Sequence, residues 1–204
     1  MAKGFAIAAG VSTTALVIAG VLATTILAPS NRFEQCNVMA VAGGQLGGPF
    51  TLVNHKGETV TDEDVLTQPS LVYFGYTFCP DICPLDVVRN VDAIDALADQ
   101  GKDVKPVFIS IDPERDTPEV LADYVFNFGE DMTALTGTPE QVKVASRAYK
   151  TFYQRQEGDP DYYLVDHSTQ SYFVLPEQGI VQPFGRQIRP DRMAEQMACM
   201  MDAL

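Results

Sequence analysis

A short run of bulky apolar residues, Leu71 to Tyr76, stops at two cysteines spaced four apart in Cys79-Pro80-Asp81-Ile82-Cys83-Pro84, and few folds accommodate that order. The run suits a strand buried on both faces. After Pro84, the residues Leu85, Val88, Val91, Ile94 and Leu97 recur at helical spacing, and Gly101 follows as a stop. The pattern predicts a helix from about Pro84 to Gln100, with the cysteines at a strand-to-helix junction.

The rest of the chain alternates in the same way. Phe50 to Val53 and Glu58 to Val60 flank Asn54-His55-Lys56-Gly57 as a small hairpin. Val104 to Ile111 reads as a second buried strand. Thr117-Pro118-Glu119 offers an N-cap, a first-turn proline and an acidic residue for a helix to about Phe128. Thr138 and Gln141 form a capping box ahead of a stripe of Val142, Ala145, Tyr149 and Phe152. Tyr162 to Val165, Ser171 to Leu175 and Ile180 to Phe184 are strand material, and a last helix starts near Pro190. Strands alternating with helices predict an α/β chain with a thioredoxin-like three-layer fold.

Phe5 to Ala28 carries no charge and as a helix would span about 36 Å, enough for the hydrocarbon layer. Its length favours an N-terminal transmembrane helix over a cleaved signal peptide. Lys3 is the only charge before it, which places the remainder outside the cytoplasm. Residues 1–28 are therefore expected to be the membrane anchor, 29–47 a flexible tether and 48–204 the folded domain. At 204 residues and 46% hydrophobic content, one core is sufficient. A net charge of -13 argues against nucleic acid as a partner and suits a cation or metal.

A helix N-terminus favours thiolate over thiol, so Cys79 and Cys83 are candidates for a redox-active pair or for metal ligands. His167, 84 positions after Cys83, lies in a polar loop between expected strands. In a thioredoxin-like domain that loop passes beside the cysteine helix, so His167 can complete a Cys-Cys-His set, with Asp166 placed to orient or charge-balance it. Two thiolates suit Cu(I), an added imidazole admits Cu(II), and three ligands leave an opening through which copper can pass on. A structural zinc would want four. The acidic segment from Asp112 to Glu119 reads as a capped, solvated loop. Met193, Met197 and Met200, with Leu204, trace one helical face and read as core. Cys36 and Cys199 either bridge the tether to the last helix or stay free.

Phe74-Gly75-Tyr76-Thr77-Phe78-Cys79-Pro80-Asp81-Ile82-Cys83-Pro84 resembles the signature of the Sco/SenC family, and the likeness continues through residues 108–119 and Asp166-His167-Ser168. Proteins of that family are membrane-tethered copper chaperones that help assemble the copper A centre of cytochrome c oxidase. The resemblance implies copper as cargo on Cys79, Cys83 and His167. It also implies a single-pass protein of an inner membrane, a cytochrome c oxidase copper-site subunit as receiver, and a second copper chaperone as donor. Phe78 departs from the pattern, since many members carry histidine there. Two other uses of the same residues stay open: thiol-disulfide exchange on the oxidase copper-site cysteines, and redox or copper sensing.

Overall fold

The structure, a computed structural model, describes residues 33–36, 46–159 and 162–204. The expected anchor, Phe5 to Ala28, lies outside them. Among the described residues no helix is long and apolar enough to cross a membrane.

Nine strands occur in this part of the chain: β1 (Thr51–Asn54), β2 (Thr59–Thr61), β3 (Ser70–Gly75), β4 (Lys105–Ser110), β5 (Thr133–Thr136), β6 (Tyr153–Arg155), β7 (Val165–His167), β8 (Ser171–Leu175) and β9 (Gly179–Phe184). Seven make one sheet in the order β2-β1-β5-β4-β3-β8-β9, while β6 and β7 form a separate two-stranded ribbon. β3 lies at the heart of the sheet, parallel to β4 and antiparallel to β8, and all six of its residues are buried. The hairpin of β1 and β2 turns at Gly57, whose φ of +82° only glycine adopts without strain.

Five helices accompany the strands: α1 (Asp62–Val65), α2 (Ile82–Ala98), α3 (Pro118–Phe128), α4 (Pro139–Ala148) and α5 (Pro190–Asp202). Three start as the sequence signals. Thr117 accepts from the Val120 N–H at the head of α3, Thr138 and Gln141 cap α4 reciprocally, and Pro190 opens α5. Successive β3 side chains face opposite layers, as the pleat requires. On one side Tyr73 meets Asp86 of α2, and its β4 neighbour Phe108 stacks on Tyr124 of α3 at 4.7 Å. On the other, Phe74 meets Tyr149, at the end of α4, at 5.1 Å. The sheet therefore sits between two helical layers, a mixed α/β fold of thioredoxin type.

Several expectations are corrected. α2 begins at Ile82, ahead of Pro84, because a proline costs nothing among the first N–H groups, which have no helical acceptor anyway. Its buried face is also different: Leu85 and Val88 are exposed, whereas Asp86, Arg89 and Asn90 are buried. Mutual pairing makes that tolerable. Arg89 lies 3.4 Å from Asp86 and donates to Asn90 and to Ser171 of β8 at 2.9 Å each. Phe152 projects outward beyond the end of α4, and Leu204 is likewise exposed beyond α5. The short β5, β6 and α1 carry too few residues to leave a periodic signal.

Candidate metal centre

Gly75 closes β3 under tight constraints. A Cβ there would lie 2.9 Å from the Tyr73 ring, 3.0 Å from Phe108 and 3.1 Å from the Cys83 sulfur. Its bareness lets the first turn of α2 press the Cys83 side chain against the sheet. Beyond it, Thr77 is tied down by Asp116, a carboxylate of 0% exposure that accepts from the Thr77 N–H at 3.1 Å, the Thr77 hydroxyl at 2.5 Å and the Ser110 hydroxyl at 2.6 Å. Burial pushes the Asp116 carboxyl above its ordinary range, against the pull of these donors. The neighbouring Asp112, also buried, accepts from the Tyr163 hydroxyl and pairs with Arg115, both at 2.6 Å. The expected solvated acidic loop is thus in part an internal brace: Asp112 and Asp116 have enough donors to leave water, while Glu114 and Glu119 stay exposed as expected.

That brace aims Cys79. Its sulfur accepts from the Cys83 N–H at 3.3 Å, while Asp81, the N-cap residue of α2, makes no side-chain capping bond. A sulfur in the cap position takes up one of the amides that the helix start leaves without a helical acceptor. Cys83 is fully buried, and burial drives its thiol strongly upward, outweighing the hydrogen bond from the Tyr76 backbone that favours the thiolate. The expected helix-end activation therefore loses to desolvation at Cys83. Cys79 stays half-buried, and both cysteines are free thiols.

His167 arrives from the ribbon. It is the last residue of β7, not part of a loop, because it pairs with Tyr153 of β6. Its Nδ1 lies 2.8 Å from the Ser168 carbonyl oxygen, which fixes the proton on Nδ1 and leaves the Nε2 lone pair free. Nε2 is 3.3 Å from the Cys83 sulfur. Tyr73 and Tyr76 meet the imidazole edge-on at centroid distances of 6.3 and 5.9 Å, and burial holds it below its ordinary value of 6.5, so it stays neutral. Asp166 does not orient the ring, being exposed and bonded to Gln156 at 2.7 Å, but its charge, with that of Asp86, pulls the imidazole upward against burial, in keeping with the charge-balancing role also expected of it.

The sulfurs of Cys79 and Cys83 and a ring nitrogen of His167 all lie within 4.8 Å of one another, a set able to hold one soft cation. All three residues singled out in the sequence are therefore brought together. Gly75, Tyr73, Tyr76, Arg115 and Asp116 were missed. Only Gly75 left a signal, as a lone glycine in a bulky strand, which marks a close approach. Beside the site Phe78, 54% exposed, lies under the Arg115 guanidinium at 4.7 Å, and Tyr163 is sandwiched between Arg115 and Arg155 at 3.6 Å from each.

The other two cysteines are bonded to each other as Cys36–Cys199. Met193, Met197 and Met200 are fully buried around them and belong to the core.

A profile of the SCO1/SenC family matches residues 39–202. Protein SenC of Rhodobacter capsulatus is 48% identical over 193 residues, 93% of this chain and 87% of its own length. The human mitochondrial SCO1 homolog is 43% identical over 163 residues, covering 76% of this chain and 53% of that longer protein. The crystal structure of Arabidopsis thaliana ScoI with copper bound superposes with a TM-score of 0.73 at 38% identity, over 77% of this chain and 99% of that one.

Proposed function

The chain belongs to the SCO1/SenC family, and from that premise we propose that it is a copper chaperone that carries its cargo on Cys79, Cys83 and His167 to the copper site of cytochrome c oxidase. The observation that carries the reading is the convergence of two sulfurs and one imidazole nitrogen within 4.8 Å. Copper in the Arabidopsis relative supports the choice of metal. Cys83 loses its proton when copper arrives, Cys79 supplies the more accessible sulfur, and His167 offers Nε2 while Ser168 keeps the other nitrogen occupied. A set of three leaves one side for an incoming donor or receiver. In this reading Phe5 to Ala28 anchors residues 48–204 outside the cytoplasm through the segment 29–47.

Anaerobic titration of the folded domain with Cu(I) tests it. The expected result is about one tightly held copper per chain, lost in Cys79→Ser and Cys83→Ser and weakened in His167→Ala. Undiminished affinity in His167→Ala would strike the histidine from the set.

Thiol-disulfide exchange on the receiving cysteines is the second reading, favoured by one half-buried thiol beside a fully buried one. It predicts disulfide reduction that needs both cysteines and is indifferent to His167→Ala.

A further inference from the structure

The segment 29–47, read in sequence as a tether, contains a fixed point. Phe33 and Cys36 are buried, Cys36 is bonded to Cys199 of α5, and the short 3-10 turn Glu34–Cys36 packs on that helix. Between Ala28, where the apolar run ends, and Phe33 lie only Pro29, Ser30, Asn31 and Arg32. Whatever their conformation, they allow a reach of at most about 18 Å. Without the clamp, the next attachment to the main body among the described residues is Gly47, whose N–H donates to the Ala148 carbonyl. The intervening chain, residues 29–46, would then allow about 68 Å.

The clamp also sits at a defined end of the domain. Cys199 lies one turn before Asp202, which pairs with Lys102, and the Lys102 N–H donates to the Leu97 carbonyl at the close of α2. Phe33 and Cys36 share a core cluster with Leu71, at the start of β3, with Leu97, and with Val104, just ahead of β4. Cys83 is at the opposite end of α2, and at 1.5 Å per residue the helix separates it from Leu97 by about 21 Å.

We propose that the Cys36–Cys199 disulfide is a short leash that seats the domain on the membrane surface by the end farthest from the sulfur site. Cys79, Cys83 and His167 then face away from the bilayer, toward a protein partner whose copper-accepting donors stand roughly a domain's depth off the membrane. Exposed Phe78 and Leu85 flank that outward end as an apolar rim. The proposal rests on the reading of Phe5 to Ala28 as an anchor.

The test uses the full chain in phosphatidylcholine vesicles containing a rhodamine-headgroup lipid, with a donor dye attached through an unnatural amino acid at Gln100 or at Leu85. Energy transfer to the lipid is expected to be several-fold greater from Gln100, at the clamp end, than from Leu85. Inserting ten Gly/Ser residues between Arg32 and Phe33, which keeps the disulfide, should bring Gln100 down to the Leu85 level. Cys36→Ser/Cys199→Ser should do the same if it folds. Equal transfer from the two positions in the unaltered chain, or a difference that survives the insertion, overturns the leash. Flotation of the same vesicles separates the two readings: a chain that does not float refutes the anchor and the leash together, whereas a floating chain with equal transfer refutes the leash alone.

Discussion

Cys36 and Cys199 are 163 residues apart and bonded, while Cys79 and Cys83, four apart, are both free thiols. Proximity along the chain would favour the opposite outcome, since closing a short loop costs less entropy than closing a long one. The surroundings decide it. The bonded pair packs in an apolar cluster with Phe33, Met193, Met197 and Met200. The free pair is surrounded by competing partners: the Cys83 amide for one sulfur, and the His167 imidazole for the other. One pair is built to be inert and the other to stay available, and each can be challenged separately.

The largest effect is expected from Cys36→Ser/Cys199→Ser. Releasing so long a loop should remove up to about 5 kcal/mol of stability, measured by urea unfolding, with copper stoichiometry unchanged. Cys79→Ser should do the reverse, leaving the urea midpoint near its original value and abolishing tight copper binding. If removing the bonded pair also removed copper, the two pairs would not be independent.

Gly75→Ala should cost about 1 to 3 kcal/mol, because the new methyl meets ring carbons and the Cys83 sulfur in a packed interior. Copper affinity should fall with it, and calorimetry on the copper-free and copper-loaded protein would reveal both losses. Intact affinity would mean that Cys83 can move aside freely.

Asp116→Asn keeps the size of the side chain but weakens its grip on Thr77. The expected loss is about 10- to 100-fold in copper affinity, as for other residues that orient metal ligands without touching the metal. Val142→Ala, a cavity on the α4 side of the sheet, is the control for lost stability alone. Equal affinity losses in the two variants would reduce Asp116 to a merely structural role.

The smallest effect is the pH response, and it has two signs. The folded Cys83 thiol is raised above its ordinary value of 9.0, so the stability it contributes is full below pH 9 and is lost as pH rises beyond it. Copper binding must displace that proton, so affinity should instead rise with pH. Urea titrations of the copper-free protein and competition titrations with copper, each from pH 6 to 10, would show the opposed slopes. The bonded pair contributes to neither, and Cys36→Ser/Cys199→Ser should leave both slopes intact.

Where local chemistry dictates structure, the sequence was readable. The prolines and threonines at the heads of α3 and α4 have one consistent meaning, and the bulky run of β3 has another. The face of α2 was not readable, because its buried side is held by Asp86, Arg89 and Asn90, which a hydrophobic count assigns to solvent. Cys79 and Cys83 announced themselves by spacing at a strand end. His167 did not, since nothing near it in sequence distinguishes a solvated histidine from a ligand; topology and family likeness supplied the difference. Asp116 looked like one more acidic residue in a turn, and only the folded chain reveals three donors converging on it.

The ligand set also draws on two bodies of unequal durability. The cysteines follow the end of β3, an interior strand of a seven-stranded sheet, whereas His167 ends a ribbon of two strands with three residues each. A ribbon that small is marginal alone in water, so its opening is the fast event and distortion of β3 the slow one. Amide hydrogen exchange should follow that order, hours or longer for β3 against seconds to minutes for β6 and β7, on the scale of local versus global opening. Time would then sort the three donors, with the imidazole as the first to let go and the sulfurs as the last.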